Sequence, residues 1–169
     1  FATHRKGVNI LIYGAPGTGK TELATLLGKA LCVSVHNITY MDGDGDVISA
    51  EDRLNKCRFA QKVLEGQSSL LIFDEIDTGI SGKAANSVAQ KLSHIAKKHQ
   101  VLCISHLPNI AAIADNNYFI SKNVVNERTN TNIKQLNETE ILQEIARISS
   151  GEINEISLKY AEELRKNKI

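Results

Sequence analysis

The 169-residue chain has no tryptophan, one methionine, two prolines and three cysteines, and aromatics make up only 5% of it. It also lacks a surplus of either charge, with 20 basic against 19 acidic side chains and a net charge of +1. Near neutrality removes the global basic footprint that grips a nucleic-acid backbone. The halves differ little: residues 1–80 carry 8 basic and 10 acidic groups, residues 81–169 carry 12 and 9. A swing from −2 to +3 names no partner. No run approaches the roughly 18 apolar residues of a membrane span, so no membrane partner is expected. Phe1 to Lys6 leads straight into a strand-like run, not a signal peptide. A start at Phe1 instead of Met is what a trimmed or partial product would show. Cys32, Cys57 and Cys103 are odd in number and widely spaced, as expected of reduced thiols in a cytoplasmic protein and not of a disulfide framework or zinc site. A chain of this size buries roughly 70% of its unfolded surface and needs no staples. A membrane protein, a disulfide scaffold and a disordered tail are thereby excluded; nearly every soluble enzyme remains.

What is present is a regular alternation, punctuated by 11 glycines. Val8 to Tyr13 is a short apolar run ending at Gly14, as in a buried parallel strand. Leu23, Ala24, Leu26, Leu27, Ala30 and Leu31 form a helical stripe after it. Val33 to Ile38 is a second candidate strand and Asp42 to Asp46 a turn. Ser49 with Asp52 predicts a capped helix through about Glu65, with Leu54, Cys57, Ala60, Gln61 and Leu64 inward. Leu70 to Phe73 is another buried run, ended by Asp74 and Glu75. The strongest helix spans about Lys83 to Lys98, with Ala85, Val88, Ala89, Leu92, Ile95 and Ala96 as its stripe. Val101 to Ser105 is a further strand, and Pro108 opens a short helix to Ala114. Segments 117–126 and 129–136 predict an antiparallel hairpin; helices follow from Asn137 and over Ile153 to Lys166. The expected fold is a three-layer α/β domain with a mainly parallel sheet, extended by the hairpin and two helices, in one unit over residues 1–169.

Gly14-Ala15-Pro16-Gly17-Thr18-Gly19-Lys20-Thr21 fits G-x-x-x-x-G-K-[ST] in full, between an apolar strand and an amphipathic helix. Glycines let backbone N–H groups turn inward around phosphates, and the helix N-terminus adds partial positive charge. Lys20 would place its ammonium on the β- and γ-phosphates of ATP, and Thr21 its hydroxyl on Mg²⁺. A strand as apolar as Leu70 to Phe73 would not end in two carboxylates without a cation or ligand nearby. Asp74 is the candidate Mg²⁺ ligand. Glu75 is the candidate general base for a water in line with the γ-phosphate. Ligands in such sheets lie at the carboxyl ends of the strands, where both motifs end.

These motifs carry two resemblances. Residues from about 7 to 77, with GAPGTGKTELA, DGDGDVISAEDRL, AQKVL and LLIFDEID, resemble AAA+ ATPases. Residues from about 70 to 169, with LLIFDEIDTGISGKAANSVAQKL and QVLCISHLPNIAAIAD, resemble the C-terminal ATPase-head lobe of the RecN family of SMC-like bacterial DNA-repair proteins, which is ABC-type. The two likenesses are expected to overlap only at LLIFDEID. The second resemblance makes Asp77 and Gly79 a loop that faces a partner subunit and His106 a switch histidine on the γ-phosphate. The first makes Ser105 a strand-end polar sensor. ABC heads also need a Ser-Gly-Gly signature before the carboxylate strand, and Arg58 to Ser69 holds none. The glutamine loop, the coiled-coil arms and an arginine finger in a matching context are missing as well; Arg128 and Arg147 read as surface residues.

The chain thus has a nucleotide pocket without either family's device for completing it in trans. Self-association or a partner subunit would have to supply that device. Trans groups of the arginine-finger type are worth roughly 10³–10⁵ in rate. The expectation is ATP·Mg²⁺ binding with slow hydrolysis, in DNA repair with indirect DNA contact, or in remodelling of a protein partner. A non-hydrolysing interaction module and a fused product are the remaining alternatives. Asp42, Asp44 and Asp46 imitate a calcium loop but lack its Gly at the sixth position and Glu at the twelfth, where Val47 and Arg53 stand. Lys97-Lys98-His99 complements a helix dipole. His36 and His94 read as structural.

Overall fold

A computed structural model of the chain describes residues 9–14, 18–38, 41–64, 69–74, 80, 82–125 and 128–167. Strand β1 (Asn9–Gly14) leads into helix α1 (Lys20–Ala30), then β2 (Ser34–Ile38), α2 (Ala50–Val63), β3 (Ser69–Asp74), α3 (Gly82–Ala96), β4 (Gln100–Ile104) and the short α4 (Pro108–Ile113). The hairpin β5 (Asn116–Val125) and β6 (Arg128–Gln135) and the helices α5 (Glu138–Ser150) and α6 (Glu155–Lys166) complete it. The sheet has six strands in the order β2-β3-β4-β1-β5-β6. β1 to β5 run parallel to their neighbours, and only the β5–β6 pair is antiparallel. The mainly parallel α/β sheet and the hairpin expected from the sequence are present.

The apolar runs form central strands because both of their faces are covered. In β3, Leu71 and Phe73 point to one face and Leu70 and Ile72 to the other, all at most 1% exposed. The first face packs on residues of α2, α3, α4, α5 and α6 in one apolar cluster. The second packs on α1, through Ala24 with Leu23 and Leu27 beside it. The three layers are therefore unequal: among the described residues, one helix covers one face and five cover the other.

That asymmetry corrects the expected α1 stripe. Leu26 is 60% exposed and Ala30 and Leu31 are also exposed, whereas Ala24 and Gly28 are buried. At 3.6 residues per turn, Leu26 lies off the arc of 23, 24, 27 and 28. Among the described residues, no second helix on that face covers it. α3 behaves as expected, with all six stripe residues buried. In α2, Cys57 and Leu64 are buried and Ala60 is half-buried; the side chains of Leu54 and Gln61 lie outside the described residues. Ser49 caps α2 by accepting from Asp52 N–H at 3.1 Å. Arg53 is buried, and its Nε donates to the Ile48 carbonyl at 3.1 Å. The turn before α2 is built on Asp42, whose Oδ1 accepts from the N–H groups of Asp44 and Asp46. No helix among the described residues is long and apolar enough to cross a membrane.

Candidate functional site

Topology brings the two motifs together. Asp74 on β3 is in register with Ile104 on β4, and Ile104 with Ile12 on β1. The carboxyl ends of three adjacent strands are therefore level. Gly14 stands two residues past Ile12, Asp74 ends β3, and Ser105 and His106 follow β4. β1 lies between β4 and β5, so the loop after Gly14 leaves from the middle of this edge.

Gly14 must be glycine here. Its φ is 152°, and a Cβ would stand 2.1 Å from the carbonyl oxygen of Ile120 on β5. Gly19 caps α1 with φ 80°, a left-handed conformation in which L side chains are strained. The backbone thereby turns directly into the helix N-terminus, where unpaired N–H groups favour an anion. Lys20 is the first residue of α1. Its Nζ donates to the Gly14 carbonyl at 3.1 Å and lies 3.4 Å from Thr18 Oγ1. The ammonium thus lies between the Gly14 carbonyl and the Thr18 hydroxyl, and Thr18 is buried.

Thr21, one residue further on, donates its hydroxyl to Asp74 Oδ2 at 2.7 Å across 53 residues of sequence. One hydroxyl and one carboxylate oxygen converge here. Hard oxygen donors of this kind suit Mg²⁺, which keeps most of its waters and takes one or two protein oxygens. The residues present therefore fit the metal. Ala15, Pro16 and Gly17 of the loop, and Glu75, Asp77 and Gly79 after β3, lie outside the described residues.

Ser105 is buried, and its Oγ accepts from Leu107 N–H at 3.1 Å, which closes the strand-end turn. His106 is exposed at the same edge. It borders a groove of about 640 Å³ that Ile148, Asn154, Ile156 and Tyr160 also line. Arg147 forms an ion pair with Glu144 one turn before it on α5, a surface role, as the sequence suggested. The side chain of Arg128 lies outside the described residues. Tyr13, just before Gly14, is 3% exposed, and its hydroxyl has no hydrogen-bond partner among the described residues. Burial raises its pKa, as does the nearby Glu144 carboxylate. Sequence reasoning missed Arg165, whose guanidinium bridges three helices; nothing in its spacing announces a contact 27 to 53 residues away.

A central strand that runs through a glycine loop into a helix, with its lysine and threonine set against a neighbouring strand-end aspartate, defines a P-loop ATPase domain. The family AAA, ATPases associated with various cellular activities, matches residues 10–117, nearly two thirds of the sequence. The chain belongs to the AAA family. It is also 47% identical to the DNA repair protein RecN of Halalkalibacterium halodurans over 95 residues, 56% of this chain and 17% of that protein. The RecN of Deinococcus radiodurans is 40% identical over 119 residues, 70% of this chain and 21% of that protein. The chain thus spans about a fifth of the length of these curated relatives. A solved bacterial Atm1-family ABC exporter with ATP bound superposes with a TM-score of 0.56 at 13% identity, over 89% of this chain and 38% of that one, a likeness of fold. The two sequence likenesses do not meet only at LLIFDEID: the AAA match continues to residue 117, and the longer RecN match covers 70% of the chain, so they overlap widely.

Proposed function

We propose that this domain binds ATP with Mg²⁺ and hydrolyses it slowly on its own, within a RecN-like role in DNA repair. The observation that carries the reading is the 2.7 Å bond from Thr21 to Asp74, one residue from an ammonium held on the Gly14 carbonyl. Magnesium, when bound, would neutralise charge on the phosphates, held by Thr21 Oγ1 and Asp74. Lys20 would leave the Gly14 carbonyl for the β- and γ-phosphate oxygens, exchanging a neutral acceptor for a charged one. The N–H groups at the start of α1 would bind the phosphates from below. Glu75, directly after the Asp74 carboxylate, would take the proton of the attacking water. Ser105 and His106 would contact the γ-phosphate side from the end of β4. A partner subunit or a second copy would supply any missing positive group, and DNA would act through that assembly. The 40–47% identity to RecN supports the repair setting. The AAA match over residues 10–117 supports a second reading, remodelling of a protein partner.

The test is ATP binding by calorimetry and turnover by phosphate release, with and without DNA and with and without Mg²⁺. Lys20→Ala should weaken ATP roughly 10- to 150-fold, the worth of a charge-assisted hydrogen bond of about 1.5–3 kcal/mol. Unchanged affinity would defeat the pocket assignment. Turnover of the isolated chain should stay below about 1 s⁻¹, since trans groups of the finger type contribute roughly 10³–10⁵. Glu75→Gln should bind ATP and lose turnover. Equal inactivity of wild type and Glu75→Gln would favour a non-hydrolysing module, and turnover indifferent to DNA would favour the remodelling reading.

A further inference from the structure

The strand-end pair Ser105 and His106 is followed at once by α4, a helix of six residues, about 9 Å long. Ile110, Ala111, Ala112 and Ile113 of α4 are all buried. Its N-terminal end is held by the Ser105 Oγ bond to Leu107 N–H and by Pro108, which fixes φ in the first turn. At its C-terminal end three carbonyls accept hydrogen bonds from side chains elsewhere in the fold. Asn117 Nδ2 on β5 donates to the Ala111 carbonyl at 3.1 Å. Arg165 Nη1 on α6 donates to the carbonyls of Ala112 and Ala114, both at 2.7 Å.

The other side of the same guanidinium forms a fork on Glu138, the first residue of α5, with Nε to Oε1 at 2.8 Å and Nη2 to Oε2 at 3.2 Å. The Arg165 side chain is only 13% exposed. One planar group therefore ties α4, α5 and α6 together, and it sits at the end of α4 opposite His106. Lysine could not reproduce this, since a single ammonium has no rigid fork to satisfy two carbonyls and a carboxylate at once.

We propose that Arg165 is a positioning residue for the strand-end turn, setting where Ser105 and His106 stand relative to the γ-phosphate; this rests on the ATPase reading above. α5 and α6 are then not only a cover for the sheet. They form the abutment that fixes the short helix carrying the γ-phosphate side of the site.

The experiment measures ATP affinity, turnover and thermal midpoint for the full chain carrying Arg165→Lys, Glu138→Gln, His106→Ala, Lys20→Ala and the pair Arg165→Lys/His106→Ala. Turnover is read well below every midpoint. Arg165→Lys should lower kcat between about tenfold and a hundredfold, the usual effect of a misplaced reacting group, with ATP affinity within about twofold of wild type. Glu138→Gln, the milder change, should move kcat the same way by less. Arg165→Lys should cost less on top of His106→Ala than it does alone, because part of both losses passes through the same histidine. Wild-type turnover in Arg165→Lys or in His106→Ala, or losses that multiply in the pair, would overturn the assignment, even with a lowered midpoint. If Arg165→Lys does not fold, Glu138→Gln and its pairing with His106→Ala decide by the same criteria. If Lys20→Ala loses ATP while Arg165→Lys turns over normally, only the positioning role falls. If Lys20→Ala binds ATP normally, the ATPase reading falls with it.

Discussion

At the residue scale, two positions hold positive φ for different reasons. Gly14 is confined by the Ile120 carbonyl, so no side chain fits there. Cys32, just past the end of α1, is exposed and holds φ at 52°. Its position is one where helices commonly place glycine. A left-handed L residue costs roughly 1–2 kcal/mol, and glycine's extra freedom in the unfolded chain gives back roughly 0.4–1 kcal/mol. Cys32→Gly should therefore stabilise by up to about 1 kcal/mol, a rise of roughly 2–4 °C in Tm for a chain of this size. Thermal unfolding followed by circular dichroism checks it, and a lowered Tm would show that the strain is relieved in some other way. The glycine requirement at Gly14 and the place of Lys20 at the start of α1 were legible because a phosphate loop would need those types in that order. Arg53 and Arg165 were not, because a buried arginine is defined by its acceptors, and those are backbone carbonyls that every residue carries.

At the element scale, caps decide where helices begin. Asn137 accepts from Glu140 N–H at 2.9 Å, and Glu140 returns a bond to Asn137 N–H at 3.1 Å, a reciprocal box at the start of α5. Asn137→Ala should cost about 1 kcal/mol. The Glu140 carboxyl is held below the ordinary carboxylate range, first by the Lys134 ammonium on β6 and then by the Asn137 N–H. A carboxyl whose folded pKa is depressed stabilises the protein above its unfolded value, near pH 4, and loses that contribution as pH falls through the folded one. Glu140→Gln should therefore weaken the protein at pH 7, with the deficit closing below about pH 4. Urea unfolding at both pH values tests this; a deficit that persists in acid would remove the ionic explanation. Both the box and the start of α5 could be read from Asn137 and Glu140, because a cap is a local interaction. The partial exposure of α1 could not, because it depends on how many helices happen to share a face.

At the scale of the whole molecule, the sheet sorts the three thiols. Cys57 and Cys103 are buried in the large core, and Cys32 is exposed. Burial pushes the Cys57 thiol up to about 12. A thiol reagent at neutral pH should modify one cysteine per folded chain and three after unfolding, since the thiolate is the reacting form. Mass mapping of the labelled peptides would check it, and fast labelling of Cys57 or Cys103 in the folded chain would contradict the packing. The same packing joins the two sequence halves. Residues of β1 and α2 share one apolar cluster with residues of α5 and α6.

The sequence alone determined the alternation of strands and helices, the phosphate loop, the acidic strand end and the hairpin. Each is a short-range pattern whose cause lies within a few residues. Only the tertiary structure decided that β1 lies between β4 and β5, that Thr21 meets Asp74, and that one arginine near the end of the chain locks the helix beside His106. Those contacts join residues about 50 positions apart. Their partners are selected by strand order and by which face each helix covers, and neither is encoded in any local spacing.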